Sequence, residues 1–595
     1  MKSAYRHIYM VQDRNHWESC RALHDPAKDL VLTFDFGLRR VVRASGGDAE
    51  YADHLADCRR LEKSNFDAYR FFARWYYDRE GRDIFSHRGV DFGGAFRIEI
   101  WNDITYYARL VLNFREIKTL AHEKLFVAME DSAAIEVLSA LSFPSERLPP
   151  PARRPAPVFF FPIYRWMEER AVLNNERNFK SGLRALAGVF FDAACAVIDF
   201  FSFGPSRTFV FLCHYYPLDA VMAALKRDRR LRVVSDKYVK AKDVLRQRRL
   251  PLHPPAKELP ERAAALLREY RARRQEAWTD DGFDLAGLLS EVIVRRITPS
   301  VRWHLQLIDS IQRYFQGKDL RLMVTFTSIG IVNALMAQYC RKRGVPVYLV
   351  INGLLVNSYL DEAKQADSIN AYGESIKNNY FRGMSNVVCL GDPRMDAYAR
   401  APAKAIDRKS PTIVVGTAGF NNIDLNSYVA YEFDFMHDIL SVCRRVGKEG
   451  LRPRVLIKVR TNGYRGQYEA FVHEYFPDLS VEFFSAVPIE KILERADLYI
   501  SQYSQTLFEA SCLGVPVIYY KNDTEQDMHP PFDGKSELVT AHSTDDLVEK
   551  IHAFTEGSSL YDAFLDKKNM EKYVGPLDGG ATRRNLERVH ALLAL

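Results

Sequence analysis

Short apolar runs alternate along this chain with longer segments that carry helical periodicity. In the last third, strand-like runs occur at Thr412–Val415, Arg454–Val459, Leu498–Ser501 and Val515–Tyr520, and helix-like stretches separate them. A final helix is predicted over 581–594. This alternation is typical of βα units that build parallel sheets.

Two further groups of strand-like runs precede this one. The predicted strands are Leu30–Phe36 and Lys124–Met129 in the first group, and Thr208–Leu212, Leu231–Ser235, Leu320–Phe326 and Val345–Ile351 in the second. Residues 258–316 are predicted to be mostly helical, and 331–342 is a predicted helix between two strands. Parallel βα units are therefore expected along most of the chain.

Two linkers divide the chain. Leu148–Pro157 contains five prolines, which preclude a helix, and Ala399–Pro411 is polar and flanked by proline. We therefore expect an extra N-terminal α/β segment over 1–150 and two Rossmann-like halves over 151–400 and 401–595. Two successive Rossmann-like halves define a GT-B architecture, with the active site in the cleft between them.

Composition narrows the class of protein. The chain has 595 residues, 47% hydrophobic and 27% charged, which favours a soluble multidomain protein over a disordered one. Its eight cysteines are scattered without zinc-type spacing, which favours reduced thiols, and the first twenty residues lack the apolar core of a signal peptide. Gly182–Phe203 is long and apolar, but Arg184, Asp192 and Asp199 interrupt it, so it is interpreted as a buried or interfacial helix. A cytoplasmic location is expected.

Positive charge is concentrated in one segment. The net charge is +7, and Lys226–Arg249 alone carries eleven Lys or Arg against three Asp. Two interpretations stay open: a solvated helix face and loop, or peripheral contact with anionic lipid at the inner membrane or with an anionic acceptor. The chain contains no recognised nucleic-acid motif, so a nucleic-acid partner is not expected.

The stretch 496–523 carries the clearest chemistry. A predicted strand ends in a hydroxyl-rich loop that includes Ser504, Gln505 and Thr506, and a helix carrying Glu509 follows. Backbone amides at a helix N-terminus suit a diphosphate or phosphodiester, and a glutamate one turn into the helix can reach ribose hydroxyls. The alternative is that Ser504 and Thr506 only cap the helix.

Other candidate donor-binding residues follow neighbouring predicted strands. Gly416 and Thr417 end the first strand of the C-terminal half, where small residues let the backbone approach a phosphate. Lys458, Arg460 and Thr461 end the second, where basic side chains can stabilise a departing phosphate. The sequence contains no metal-ligand cluster, so no bound metal is expected.

The 496–523 stretch resembles the matching segment of CDP-glycerol glycerophosphotransferases and of GT-B capsule transferases. In those enzymes the strand ends in Asp-Tyr-Ser-Ser, and here the residues are Gln502-Tyr503-Ser504-Gln505. A second stretch, 348–396, matches further landmarks in the same order: Asn352-Gly353, Ala366-Asp367, Tyr372-Gly373-Glu374 and Gly391-Asp392-Pro393-Arg394-Met395-Asp396. The resemblance covers about 345–555 and leaves the N-terminal segment without an assigned role.

A third landmark departs from the pattern. Where the resembling transferases carry Lys-x-His-Pro, whose histidine contacts donor phosphate, this chain places Arg460. A guanidinium binds phosphate bidentately without a proton switch, so donor binding could be kept by other means. A different donor, lost activity, or a merely exposed arginine are the alternatives.

The resemblance implies a metal-independent glycosyltransferase without a cofactor. Its donor would be a CMP-linked ulosonic acid of the Kdo or sialic type, a CDP-polyol, or a UDP-sugar. The acceptor would be a surface polysaccharide or a lipid-linked glycan. A protein resembling UDP-N-acetylglucosamine 2-epimerase and an inactive GT-B scaffold are the rival hypotheses.

The expected catalytic base is His214, in a strand-to-helix loop facing the predicted cleft. Its alternative role is that of a packed loop residue. Glu130 and Asp131, which follow a predicted strand of the first segment, are further candidates for the base. The alternative for this pair is that Asp131 or Ser132 caps the next helix.

Overall fold

Three parallel sheets follow one another along the chain. The computed structural model describes residues 4–56, 58–150, 156–159, 208–213, 215, 218–236, 247–274, 277–280, 282–353, 363–399, 401, 404–417, 431–459, 465–502, 504–521 and 537–594, with four single positions between 190 and 197. The sheets have five, seven and six strands, and one lies in each of the three predicted segments. The predicted α/β class with parallel sheets is confirmed.

The N-terminal sheet has its first strand at the centre. Its strand order is Asp48–Tyr51, Leu30–Thr33, His7–Val11, Lys124–Ala128, Glu146–Arg147. The helices of this segment are Arg14–Trp17, Phe36–Ala44, Cys58–Phe72, Arg97–Thr119 and Ser132–Ala140, and a hairpin pairs Ser86–His87 with Val90–Asp91. The central strand His7–Val11 is absent from the sequence prediction, although four of its five residues are buried.

In the middle sheet the order of the strands reverses beside the strand that comes first in the sequence, Thr208–Leu212. Its order is Gln247–Arg249, Leu231–Ser235, Thr208–Leu212, Leu320–Thr325, Val347–Val350, Ser368–Asn370, Val387–Val388. Its helices are Asp219–Leu225, Leu259–Arg273, Leu285–Phe315, Ile331–Lys342, Glu374–Asn379 and Met395–Ala399, and a small hairpin joins Thr279–Asp280 to Phe283–Asp284. Ligands of such sheets bind where the strand order reverses, beyond the carboxyl ends of the strands.

The C-terminal sheet repeats this plan. Its order is Val481–Phe484, Arg454–Lys458, Thr412–Gly416, Leu498–Ser501, Val517–Tyr520, Thr540–Ala541, with the reversal between the third and fourth strands. Its helices are Tyr431–Lys448, Arg465–Tyr475, Ile489–Leu493, Gln505–Cys512, Thr544–Thr555, Asp562–Leu565 and Lys567–Val574. The four predicted strands of this half agree with the observed ones to within two residues at each end.

The last helix, Ala581–Leu593, returns to the middle sheet. Asn585 is fully buried, and its Oδ1 accepts hydrogen bonds from the Tyr348 hydroxyl (2.5 Å) and from Asn370 Nδ2 (3.0 Å). Arg588 Nε donates to Ser368 Oγ at 2.9 Å. Two Rossmann-like halves tied together by a crossing C-terminal helix form a GT-B arrangement.

The N-terminal segment shares a hydrophobic core with the middle half. Arg296 on the long helix Leu285–Phe315 donates twice to Asp103 on helix Arg97–Thr119, at 2.8 and 3.0 Å. About two turns further along the long helix, the His304 ring centroid lies 4.3 Å from that of Phe96, and His304 is fully buried. Buried side chains of both segments belong to one continuous cluster. The extra segment is therefore packed firmly against the middle half.

The same segment also contacts the C-terminal half. The Phe36 ring packs on Phe471 at 5.2 Å and on His437 at 5.4 Å. The Tyr51 hydroxyl donates to Asp434 at 3.1 Å. The N-terminal segment thus packs against both halves of the GT-B unit.

Only part of the basic segment Lys226–Arg249 lies at the protein surface. Arg232 and Arg248 are buried in neighbouring strands, and Arg230 pairs with Asp228 at 2.7 Å. Residues 237–246, and most of the predicted helix Gly182–Phe203, lie outside the described part of the chain. Among the described residues, no helix is both long enough and apolar enough to cross a bilayer. Membrane contact by this segment stays a prediction.

Candidate functional site

Three candidate residues meet where the central strands of the C-terminal sheet end. In the sheet register Gly416 lies opposite Lys458 on one side and Ser501 on the other. The Thr417 backbone N–H donates to the Lys458 carbonyl at 3.2 Å. This edge adjoins the reversal of strand order, which is the position where parallel α/β sheets hold ligands.

A chain of hydroxyl groups lies at the N-terminus of helix Gln505–Cys512. Ser504 Oγ accepts the Thr506 N–H at 3.3 Å, so the capping role considered for Ser504 is confirmed. Thr506 Oγ1 lies 2.7 Å from Ser504 Oγ and 2.6 Å from the Tyr499 hydroxyl. The helix start is thereby held rigidly beside the sheet edge, with its first backbone amides at the loop.

Tyr499 explains why residue 416 is a glycine. A Cβ atom at Gly416 would collide with the Tyr499 hydroxyl and come within 3.2 Å of Ser501 Cβ. Tyr499 is buried, and its hydroxyl is anchored to Thr506. Tyr499 gave no functional signal in the sequence, because an aromatic residue within a strand is indistinguishable from ordinary core.

Lys458 presents a partly buried ammonium group beside this edge. Its Nζ donates to the carbonyls of Ser485 (3.1 Å) and Val459 (3.2 Å). Burial lowers the pKa of the Lys458 ammonium, while the carboxylate of Glu490 opposes that shift. An ammonium has three donors, so this arrangement positions the group and leaves a third N–H for an anion.

Glu509 points into a buried ionic cluster. Arg394 Nε donates to Asp392 Oδ1 and Oδ2 at 3.0 Å, and Arg394 Nη1 lies 3.8 Å from Glu509 Oε1. All three side chains are at least nine-tenths buried. Burial raises the pKa of Glu509 to about 7, against the opposing effect of the Arg394 charge. In this arrangement Glu509 contacts a motif residue from the 348–396 stretch.

The cluster continues toward the middle half. Arg394 Nη2 donates to the Tyr372 hydroxyl at 3.3 Å, and that hydroxyl in turn donates to the Ile351 carbonyl. Gln505 Nε2 donates to Asp392 Oδ2 at 3.5 Å. The motif stretches 348–396 and 496–523, far apart in sequence, therefore meet in one network of contacts.

This network of contacts extends to Ile351, the residue directly before the Asn352-Gly353 pair. Among the residues that the structure describes, no atom lies within 4 Å of a Cβ built at Gly353. Asp392, Arg394 and Tyr372 were landmarks of the resemblance without an assigned role. Their order in the sequence was the available signal, but their contact with Glu509 depends on the fold.

Asp131 caps a helix. Its Oδ1 accepts the Ala133 N–H at 2.9 Å, and its other oxygen accepts the Tyr106 hydroxyl. Asp131 is buried, so the capping alternative for this residue is confirmed.

Glu130 lies at the carboxyl edge of the N-terminal sheet, where the strand order reverses. Its Oε2 is 4.0 Å from His16 Nε2, and His16 Nδ1 is 2.8 Å from Asp13 Oδ1. The same edge contacts the C-terminal half through Arg14, which pairs with Glu474 in the last turn of helix Arg465–Tyr475. That helix begins after Lys458 in the sequence, so Glu474 lies near the end of the helix that is remote from Lys458. A catalytic role for Glu130 stays a prediction.

Three of the candidates lie outside the described residues: His214, Arg460 and Thr461. In the sequence they follow the described strands Thr208–Leu212 and Arg454–Lys458. Their assigned roles, as base and as phosphate ligands, stay predictions.

Comparison with known proteins gives structural similarity alone. No protein-family profile matches the chain, and no curated protein matches it in sequence. UDP-GlcNAc 2-epimerase from Neisseria meningitidis bound to UDP-GlcNAc is similar at TM-score 0.42 and 12% identity, covering 65% of this chain and 100% of the other. A variant of the wall teichoic acid polymerase TagF is similar at TM-score 0.37 and 10% identity, covering 70% and 97%. MurG from Acinetobacter baumannii is similar at TM-score 0.34 and 11% identity, covering 65% and 100%. TM-scores below 0.5 carry no argument about the fold, so the fold assignment depends on the sheet topology.

Proposed function

We propose that this chain is a GT-B glycosyltransferase that moves a sugar from a nucleotide-activated donor onto a surface-polysaccharide or lipid-linked acceptor. One observation carries the proposal: Gly416-Thr417, Lys458 and the start of helix Gln505–Cys512 converge at the carboxyl edge of the C-terminal sheet. Backbone amides, a helix N-terminus and an ammonium group together suit the diphosphate or phosphodiester of a nucleotide sugar.

The donor is proposed to be cytidine-linked, either a CMP-ulosonic acid or a CDP-polyol. The support is the resemblance of 348–396 and 496–523 to enzymes that use such donors, together with the contact between Arg394 and Glu509 that joins these stretches. Arg460 would hold the phosphate that a histidine contacts in the resembling enzymes. No cofactor takes part in the proposed reaction.

Catalysis then needs one base and one stabilised leaving group. With a CMP-ulosonic acid, His214 is proposed to accept the proton of the acceptor hydroxyl as that oxygen attacks the anomeric carbon. The bond from that carbon to the donor phosphate breaks, CMP leaves, and Lys458, Arg460 and the helix start would stabilise its phosphate. With a CDP-polyol, the same hydroxyl would attack the phosphorus that carries the polyol, and the bond from that phosphorus to CMP would break. The reaction is proposed to take place in the cytoplasm, at the inner face of the membrane when the acceptor is lipid-linked.

Donor turnover tests the proposal. The full chain is incubated with CMP-, CDP- and UDP-linked donors, without acceptor, and release of free nucleotide is followed. We expect hydrolysis of a cytidine-linked donor, and at least tenfold weaker nucleotide binding in Lys458→Ala and Arg460→Ala. His214→Ala should lower turnover with little change in nucleotide affinity.

A matched control is Lys448→Ala, at the exposed end of helix Tyr431–Lys448, which should bind nucleotide like the parent chain. Unchanged cytidine-nucleotide affinity in both Lys458→Ala and Arg460→Ala would refute the site assignment. Interconversion of UDP-sugars without acceptor would identify an epimerase, and binding without any turnover would identify a scaffold.

A further inference from the structure

A cavity lies between the N-terminal segment and the middle half, separate from the donor edge. Its volume is about 350 Å³, and its walls come from the region 72–97 on one side and from 325–366 on the other. Pockets of a few hundred cubic ångströms at domain interfaces are the usual form of small-molecule sites. The N-terminal segment, which had no assigned role, supplies one complete wall.

Aromatic side chains form part of that wall. Tyr76 and Tyr77 line the cavity with ring centroids 4.5 Å apart, and both side chains are only partly buried. Gly93 makes room for Tyr76, because a Cβ atom at Gly93 would clash with the Tyr76 ring. Gly94 also lines the cavity, where a Cβ atom would lie 3.4 Å from the Tyr76 hydroxyl. Two adjacent glycines thus place an aromatic surface at the wall.

The opposite wall is rich in planar polar groups and hydroxyls. Gln338 and Arg341 lie on helix Ile331–Lys342, and Arg341 Nη1 donates to Gln338 Oε1 at 3.2 Å. Thr327 and Ser328 follow the strand Leu320–Thr325 at its carboxyl end, and Gln365 completes this side. An amide, a guanidinium and two hydroxyls offer both donors and acceptors within one cavity.

Charge at the cavity is of both signs, with two guanidinium groups against one exposed carboxylate. Arg97 and Arg341 are cationic, and Asp91 is an exposed carboxylate. Asp83 also lines the cavity, but its oxygens accept the backbone N–H groups of Phe85 (2.8 Å) and Gly93 (2.9 Å). Asp83 therefore holds the turn that shapes the aromatic wall. The arrangement suits a ligand with many hydroxyl groups better than a highly charged one.

We propose that this cavity binds a saccharide unit, with the apolar face of the ring against Tyr76 and Tyr77 and its hydroxyls toward Gln338, Arg341 and the Thr327-Ser328 loop. A pyranose has this same division, apolar C–H groups on its faces and hydroxyls around its edge, so it matches one aromatic and one polar wall. In the proposed reaction the bound unit belongs to the acceptor, and this identification rests on the proposed function. The N-terminal segment then serves acceptor recognition.

The test uses the full chain and ligand-observed NMR with pyranose monosaccharides and disaccharides, in parallel with donor hydrolysis without acceptor. We expect saccharide binding by the parent chain and at least fivefold weaker binding in Arg341→Ala and in Ala337→Phe. Ala337 lines the cavity on the same helix, so the Phe ring fills the space without removing a hydrogen bond. Both variants should hydrolyse donor at the parent rate.

Arg321→Ala is the matched control, since Arg321 is exposed on the middle sheet, pairs with Asp319 and does not line the cavity. It should bind saccharide like the parent chain. The absence of saccharide binding by the parent chain, or unchanged affinity in Ala337→Phe, would overturn the proposal. Cavity-dependent saccharide binding without donor turnover would retain this site and refute the proposed transferase instead.

Discussion

Arg394 Nη1 lies 3.8 Å from Glu509 Oε1, and this contact joins the two motif stretches of the chain. Arg394 follows the last strand of the middle half, and Glu509 lies on the helix that starts at the donor edge. Arg394 also donates hydrogen bonds to Asp392 and to the Tyr372 hydroxyl. Residues of the 348–396 stretch therefore stabilise helix Gln505–Cys512, which begins at the candidate donor edge. We expect the geometry of the phosphate site to depend on this contact.

Glu509 should make local stability pH-dependent. Burial raises its pKa from the ordinary value of 4.5 to about 7. The folded state therefore binds the proton more tightly than the unfolded state. The stability this provides is complete below pH 4.5 and is lost as the pH rises through 7, by up to about 3 kcal/mol.

Native-state hydrogen exchange of helix Gln505–Cys512 at pH 5 and pH 7.5, corrected for intrinsic rates, measures this loss. Glu509→Gln cannot titrate, so its free energy of opening should change much less between the two pH values. Glu494→Gln, at the exposed end of the neighbouring helix Ile489–Leu493, is the control and should behave like the parent chain. An identical pH dependence in Glu509→Gln and the parent chain would contradict the prediction.

Gly416→Ala should damage the donor edge through Tyr499. The added Cβ collides with the Tyr499 hydroxyl, so we expect a loss of about 1–3 kcal/mol in the free energy of unfolding and weaker nucleotide binding. Urea unfolding and nucleotide titration measure the two effects. Adding Tyr499→Phe removes the colliding hydroxyl and should recover part of the stability.

Gly447→Ala is the matched control for that substitution. Gly447 lies in helix Tyr431–Lys448, and a Cβ atom there meets nothing within 4 Å. Because alanine favours a helix over glycine, this variant should be neutral or stabilised by about 0.5–1 kcal/mol. Equal stabilities of the two alanine variants would show that Gly416 has no steric role.

Asp35→Asn should loosen the linker between the first two segments. Asp35 is fully buried, and its Oδ1 accepts the Leu38 N–H at 2.6 Å while Oδ2 accepts the Phe159 N–H at 2.7 Å. An asparagine keeps only one acceptor oxygen, and its NH₂ group would face an N–H. We expect the Phe159 amide to exchange about tenfold faster, a cost of about 1.4 kcal/mol. Asp25→Asn, in a surface turn, should leave that amide unchanged.

Asn585→Ala should weaken the attachment of the last helix. It removes the acceptor of the Tyr348 hydroxyl and of Asn370 Nδ2, both buried, and leaves a small cavity. A loss of about 2–4 kcal/mol in urea unfolding is expected. Arg583→Ala, which breaks only an exposed pair with Glu587, should cost less than about 0.5 kcal/mol. A comparable loss in both variants would contradict a specific role for Asn585.

The strands that sequence reasoning predicted best are those with mainly apolar runs. Thr208–Leu212, Leu231–Ser235 and Leu498–Ser501 have the predicted bounds, because strands buried on both faces need mainly apolar residues. The central strand His7–Val11 was missed, since it follows polar residues near the start of the chain. Arg232 illustrates the opposite error, because a charged residue read as surface is buried within a strand.

The candidate site was predictable to the extent that it depends on chain order. Gly416 and Lys458 end two adjacent strands of the sheet and Ser504 follows a third, and the carboxyl ends of parallel strands necessarily share one edge. The role of Glu509 depended on a contact with Arg394, more than a hundred residues earlier. The capping role of Asp131 became clear only from its hydrogen bonds to the following turn and to Tyr106.

By itself the sequence determined the alternation of strands and helices and the three parallel sheets, because hydrophobic periodicity is a local property. It also determined the edge at which the candidate phosphate ligands gather, because parallel strands all end at the same edge of a sheet. Only the tertiary structure decided that Arg394 meets Glu509, that Tyr499 requires a glycine at 416, and that the N-terminal segment forms a cavity with the middle half. Those relationships depend on packing between distant parts of the chain, where side-chain volume and burial select one arrangement that no local pattern encodes.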